Sequence, residues 1–255
     1  MEINQWELRW GDCLDCSAGM QSLAAKSIDI VCADPPYSER VHARLGREGR
    51  GDGARQRDAL SFGCLTKDTA YALAREYVRL TKRWILLFCD ELTFGVWVDA
   101  IEAAGGEYVR KGTWVKTDAM PQMSGDRPTT GTEEIVIAHA PRQSGRMKWN
   151  GGGKKAVYQG LAQERAVVRT HDCQKPLWLV RALLTDFTDP GDLILDSHAG
   201  SGTTGAACIE LGRRFIGWEL DPKHHATASK RLGEASKQQP LFKVATTQEQ
   251  ERLPL

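Results

Sequence analysis

The 255-residue chain reads as a single α/β domain around a seven-stranded, mostly parallel sheet. Three observations lead there. Short apolar runs alternate with helix-period segments along most of the chain, and a glycine-rich turn joins one such run to a helix near the C-terminus. The strands needed to complete a sheet around that turn lie upstream of it, so the sheet is a circularly permuted Rossmann-like arrangement.

The apolar runs place strands at 7–10, 28–33, 84–89, 108–115, 134–139, 193–195 and 215–218. Helical periodicity places helices at 19–25, 68–80, 94–104, 176–187, 203–211 and 224–232, with Pro176 suited to a first turn because its missing N–H costs nothing there. No helix falls between residues 111 and 139, which predicts a β-hairpin at a sheet edge. Segments 38–66, 117–131 and 141–172 resist assignment, and loops of that length are expected to bind something or to move. The polar tail after Gln238 is expected to fray.

Composition narrows the setting. No apolar stretch reaches bilayer-spanning length and the first residues lack a signal pattern, so a cytoplasmic protein without membrane contact is expected. The seven cysteines are odd in number and scattered, which favours reduced thiols. Cys13-x-x-Cys16 has no second pair at finger spacing, so no metal is expected. Net charge is only +1, but basic residues cluster. Six arginines, Arg40, Arg44, Arg47, Arg50, Arg55 and Arg57, face two acids, and Arg142, Arg146, Lys148, Lys154 and Lys155 surround Trp149 with no acid among them. A charge run is usually a solvated face; two glycine-rich basic segments outside the core suit arms that follow a phosphate backbone.

Two motifs carry the chemistry. Asp34-Pro35-Pro36-Tyr37 closes the apolar run at 28–33 and puts a carboxylate, a stiff backbone and an aromatic ring at a strand's carboxyl end. Such a pocket can grip a flat base by its exocyclic amino group. Gly200-x-Gly202-x-x-Gly205 follows the run at 193–195, and Glu219 ends the next strand, where an acid can bind two ribose hydroxyls. Alone, this loop fits NAD, FAD or S-adenosylmethionine. A nicotinamide fold needs further strands after its first βαβ unit, and only 36 residues follow Glu219.

In this order the motifs resemble the β-class of S-adenosylmethionine-dependent DNA amino methyltransferases, over roughly residues 5–235. Asp34-Pro35-Pro36-Tyr37 matches the family's catalytic tetrapeptide, Asp196 to Thr204 its cofactor loop, and Trp218-Glu219-Leu220-Asp221 its acidic strand end. Gln174-Lys175-Pro176 and Gly11-Asp12-Cys13 match two further elements. The family's usual Asp-Pro-Phe reads Asp196-Ser197-His198 here, so His198 packs on the cofactor or caps the turn.

The resemblance implies S-adenosylmethionine as cofactor, S-adenosylhomocysteine as product and double-stranded DNA as partner. It assigns the cofactor to Asp12, Cys13, Asp34, Lys175, Asp196, His198, Gly200, Ser201, Gly202, Thr203 and Glu219, with Lys175 suited to the methionine carboxylate. Asp34 and the Pro35 carbonyl would accept the two N–H bonds of a flipped-out base, freeing the nitrogen lone pair, while Tyr37 stacks on the ring. Asp at position 34 leans toward adenine N6, with cytosine N4 as the alternative and an inactive DNA-binding regulator as a reading of another class. DNA contacts are expected from Arg40, Arg44, Arg47, Arg127, Arg142, Arg146, Lys148, Trp149, Lys154 and Lys155, with a mobile active-site loop at about 38–66 and a small target-recognition insertion at about 141–172. A homodimer, a separate restriction endonuclease and a bacterial or phage origin are compatible with this reading.

Overall fold

The computed structural model describes residues 5–39, 64–142, 145–162 and 174–237. Its strands are β1 (Trp6–Trp10), β2 (Ile30–Ala33), β3 (Trp84–Cys89), β4 (Glu107–Lys116), β5 (Thr132–His139), β6 (Val157–Gly160), β7 (Leu193–Asp196) and β8 (Arg214–Glu219). Helices α1 (Lys67–Leu80), α2 (Phe94–Ala103), α3 (Leu177–Phe187), α4 (Thr203–Glu210) and α5 (Pro222–Lys237) flank them.

All eight strands form one sheet in the order β1-β8-β7-β2-β3-β5-β4-β6. Only the β3–β5 and β4–β5 pairings are antiparallel. The sheet therefore has one strand more than the seven expected, and the hairpin β4–β5 is not at the edge. β6 pairs in parallel with the second half of β4, from Thr113↔Val157 to Lys116↔Gly160, and takes the edge itself. Only four residues long and bracketed by glycine-rich chain, β6 shows no periodicity to read. The helix expected at 19–25 is a single 3₁₀ turn, Met20–Ser22. Pro176 stands one residue outside α3 as its N-cap rather than in the first turn.

Alternation along the strands splits the core into two layers, as period-2 geometry requires. Val31, Ala33, Ile85, Leu87 and Leu195 face α1 and α2, where Leu73, Tyr77, Trp97 and Ile101 are buried. Ile30, Cys32, Leu86, Phe88 and Ile194 face α3 and α4. Thr66 caps α1 by accepting the Thr69 N–H at 3.1 Å, and Asp68 and Arg79 sit at the ends that suit the helix dipole. α4 lies tight on its neighbours: a Cβ on Gly205 would stand 2.6 Å from Leu232 and 3.0 Å from the Phe215 ring. The third glycine of the loop is thus a packing glycine.

β7 sits between β8, which follows it in the chain, and β2, which precedes it by some 160 residues. That is the switch in strand order, where ligands of open α/β sheets collect. Both motifs leave the carboxyl ends of these two adjacent strands.

Candidate active site

Asp34 leaves the end of β2 with a quarter of its side chain exposed. Its Oδ2 accepts from Lys175 Nζ at 2.7 Å, while Oδ1 is buried without a hydrogen-bond partner among the described residues. Lys175, just before α3, also reaches Glu133 Oε2 at 3.2 Å and lies over the rings of Tyr37 and Phe88, 5.0 and 5.2 Å from their centroids. The Tyr37 hydroxyl donates to Glu133 Oε2 at 2.9 Å, and Lys116 Nζ donates to Oε1 at 2.6 Å. Two carboxylates and two ammonium groups thus close one network around the tetrapeptide.

The two acids of this network differ. Burial pushes Asp34 above the usual carboxylate range, Lys175 offsets part of that, and the Glu133 charge adds to it. Burial also acts upward on Glu133, but Lys175 and Lys116 beside it, with the Lys116 and Tyr37 hydrogen bonds, bring it down to about 2. Glu133 has two cations and the Tyr37 hydroxyl at 2.9 Å, whereas Asp34 shares one cation, feels that hydroxyl as its smallest influence, and keeps Oδ1 without a partner among the described residues. Burial and both carboxylates hold the Tyr37 hydroxyl protonated, so it donates.

Across the switch point, the glycine loop turns through positive φ at Gly200 (+53°) and Gly202 (+77°), conformations that side chains rarely adopt. Glu219, ending β8, accepts the Gly200 N–H at 2.7 Å and the Asp221 N–H at 2.8 Å, one on each oxygen. Each oxygen keeps a second lone pair, enough for a pair of vicinal hydroxyls. Asp196 is buried at the end of β7; burial first, then the charges of Asp34 and Glu219, push it up to about 7 against hydrogen bonds from Thr204 and the His198 N–H. His198 Nδ1 lies 2.8 Å from Ser197 Oγ, which lies 2.5 Å from the Tyr77 hydroxyl. Burial lowers His198 to about 4, with Asp12 acting the other way, so the ring is neutral at physiological pH.

Asp12 and Cys13 follow β1, brought alongside by the β1–β8 pairing and by the Gly11 N–H donating to Glu219 O at 3.0 Å. Asp12 Oδ1 accepts the Leu14 N–H at 2.8 Å, and burial pushes the Cys13 thiol up to about 12, so it carries no thiolate. Arg231 from α5 donates to Thr203 Oγ1 at 3.0 Å beside Ser201. Asp12, Cys13, Asp196, His198, Gly200, Ser201, Gly202, Thr203 and Glu219 are therefore gathered at or just after the carboxyl ends of the adjacent strands β1, β8 and β7. The Lys175 ammonium contacts Asp34 and Glu133, at the end of β2 next to β7.

The basic residues divide. Arg40, Arg44 and Arg47 lie outside the described residues; the ends of their segment are tied at the site, Ser38 N–H to Asp90 at 2.8 Å and Leu65 N–H to the Tyr37 carbonyl at 3.0 Å. Arg127 lies exposed between β4 and β5 at the catalytic end, paired to Asp126 at 2.6 Å. The other set runs under the amino ends of the parallel strands. Arg142 pairs with Glu107 at the start of β4 at 2.7 Å, Lys148 with Asp189 at 2.7 Å, and Lys154 with Asp186 near the end of α3 at 2.8 Å. Arg146 and Lys155 lie in the same stretch and are exposed. Trp149 packs edge-on to Phe187, ring centroids 4.6 Å apart, with its N–H on the Gly152 carbonyl. Segment 145–162 is thus partly woven into the core and the sheet. The structure does not bring this basic set to the tetrapeptide.

Sequence reasoning missed Glu133. One of two adjacent acids at a strand start, Glu133-Glu134, has no motif; its register opposite Trp114, near Lys116, is the signal that would have found it. Among the described residues no cluster of His, Cys, Asp and Glu could hold a metal ion, and no helix is long and apolar enough to cross a membrane.

Known proteins resemble the chain along the same lines. A family model for N6/N4 methyltransferases, described as DNA methylase, matches residues 28–230. The type II methyltransferase M2.DpnII of Streptococcus pneumoniae is 29% identical over 237 residues, covering 84% of this chain and 85% of that protein. Among solved structures, the M1.HpyAVI–SAM complex superposes with a TM-score of 0.65 at 23% identity, covering 89% of this chain and 98% of the other. The cytosine-N4-specific PvuII DNA methyltransferase superposes with a TM-score of 0.68 at 15% identity, covering 97% and 90%. At these identities the two structures speak to the fold.

Proposed function

The chain belongs to the DNA methylase family of N6/N4 methyltransferases, and from that premise we propose that it methylates the N6 amino group of adenine at a specific DNA site. The observation that carries the amino-group chemistry is Asp34 Oδ1, a buried acceptor without a partner among the described residues, at the switch point beside the glycine loop. An exocyclic amino nitrogen is a poor nucleophile because its lone pair is delocalised into the ring. Asp34 Oδ1 and the Pro35 carbonyl, each accepting one N–H, draw that nitrogen toward tetrahedral geometry. The base reaches them flipped out of the helix, against Tyr37.

The carboxyl ends of β1, β8 and β7 fit S-adenosylmethionine: two positive-φ glycines allow close approach, and Glu219 has lone pairs for a ribose. Bound there, that cofactor supplies a methyl group on a cationic sulfur. Glu219 would hold the ribose, Asp12 and Cys13 the adenine side, and Gly200 to Thr203 the amino-acid portion, with Asp196 and His198 behind the loop. The Lys175 ammonium serves Asp34, opposing the effect of burial on its carboxylate. DNA approaches the carboxyl end, so Arg127 and the segment carrying Arg40, Arg44 and Arg47 are the phosphate contacts of this reading. A cytoplasmic bacterial or phage setting, a homodimer and a separate restriction endonuclease are parts of the same reading.

The decisive experiment incubates the protein with isotopically labelled S-adenosylmethionine and unmethylated DNA, then digests to nucleosides. Labelled N6-methyl-2′-deoxyadenosine is expected. Labelled N4-methylcytosine would move the assignment to cytosine, and cofactor binding without transfer would make the chain a DNA-binding regulator.

A further inference from the structure

Glu133 is the residue on which three elements converge. It opens β5, and it accepts from Lys116 at the end of β4, from Lys175 before α3 and from Tyr37 after β2. Only a sixth of its side chain is exposed, so a carboxylate there needs those donors. Lys175 is shared between Glu133 and Asp34, and Tyr37 belongs to the tetrapeptide, so whatever moves Glu133 moves the base pocket.

We propose that Glu133 is a positioning residue for methyl transfer: by holding the Lys175 ammonium and the Tyr37 hydroxyl together, it leaves one oxygen of Asp34 engaged and the other open to the amino group of the base. The proposal rests on the methyltransferase reading above. Without Glu133, the ammonium could straddle both oxygens of Asp34 and cover Oδ1. With Glu133, it is drawn to the Oδ2 side, 2.7 Å from that oxygen and 3.2 Å from Glu133. The phenol tether likewise fixes the ring against which the base rests.

Charge balance gives Glu133 a second role. In the reaction the amino lone pair forms the new N–C bond while the S–C pair stays on sulfur. Positive charge passes to the nitrogen and leaves as a proton, through Asp34 to water. Two ammonium and two carboxylate groups surround that event without opposing it. Removing the Glu133 charge leaves one positive charge in excess in a site with little water.

The test compares wild type with Glu133→Gln and Glu133→Asp. In cofactor-free protein, the Asp34 carboxyl carbon is titrated by NMR, assigned through Asp34→Asn. The groups facing Asp34 are Lys175, Glu133 and Tyr37, with Asp196 and the thiols of Cys32 and Cys89 beyond them. Glu133→Gln removes a negative neighbour and one of the acids that share Lys175, so the midpoint is expected to move to lower pH. Single-turnover methyl transfer is expected to fall about a hundredfold, its acid limb moving down with Asp34, while S-adenosylmethionine affinity stays within about twofold. Glu133→Asp keeps the charge but withdraws it by one methylene. Its rate is expected to fall about tenfold with the Asp34 midpoint unmoved, and it carries the test if the Gln variant does not fold. An unmoved Asp34 midpoint in Glu133→Gln, or near wild-type rates in both variants, would overturn the proposal. Failure of the wild type to methylate would instead defeat the methyltransferase reading, while the titration still judged Glu133.

Discussion

The two ends of the sheet handle charge in opposite ways. At the carboxyl end, Asp34, Glu133, Asp196 and Glu219 are drawn into partly dry surroundings where each is displaced from the usual carboxylate range, three upward and Glu133 downward. At the amino end, about 30 Å away along the length of β4, charges meet as exposed pairs: Arg142 with Glu107, Lys148 with Asp189. The carboxyl end keeps a buried carboxylate oxygen unpaired among the described residues; at the amino end Glu107, Asp186 and Asp189 each meet a cation. Exposed pairs of the second kind contribute little to stability, because water and salt screen them. A basic stretch in sequence is therefore no guide to a basic surface, because its acids can come from elsewhere in the fold.

Substitutions at the two ends should separate by orders of magnitude. Asp34→Ala is expected to lower methyl transfer by about a thousandfold or more while equilibrium cofactor binding persists; substantial residual transfer would remove the carboxyl end's claim to the chemistry. Glu219→Ala should weaken S-adenosylmethionine by about 10- to 100-fold, the worth of hydrogen bonds to a charged group, read by calorimetry. Asp196→Asn probes the dry environment through stability. A carboxyl raised to about 7 in the folded state holds its proton better there than in the unfolded chain, where its value is near 3.8. Wild-type stability contributed by that proton is then full below the unfolded value and lost as pH rises to the folded one. The melting-temperature advantage of Asp196→Asn should grow from pH 4 to 7 and then level off; a flat difference would place Asp196 in water. Smallest of all, Ala at Arg142, Arg146 and Lys148 together should leave DNA affinity within about twofold and the salt slope within about one unit. A slope reduced by about three would mean that DNA reaches the amino end as well.

Most of the sheet was legible because its strands are continuous apolar runs: 84–89 is β3 residue for residue. Both motifs were legible because glycines at positive φ and a proline-stiffened turn leave their mark in residue type. β6 was not, since four residues with a burial pattern of alternate exposure borrow their order from β4 rather than from their own sequence. Lys175 was found by its motif, yet its partners could not be read, because Asp34 and Glu133 lie 141 and 42 residues away in sequence. The acid partners of the basic run at 142–155 could not be read for the same reason: Glu107, Asp186 and Asp189 are remote in sequence and adjacent in space.

The pairing of Ile30 with Ile194 and of Val31 with Leu195 has a consequence for how the molecule comes into being. β2 leaves the ribosome early with its edge unmade, and the strand that covers it is synthesised some 160 residues later. Contacts of that separation are slow to form, and an apolar strand edge waiting for its partner invites pairing with other chains. Trp6 waits longer still for Phe215. Asp34 and the glycine loop therefore first face each other only as the last third of the polypeptide docks, so completion of the sheet and assembly of the candidate site are one event.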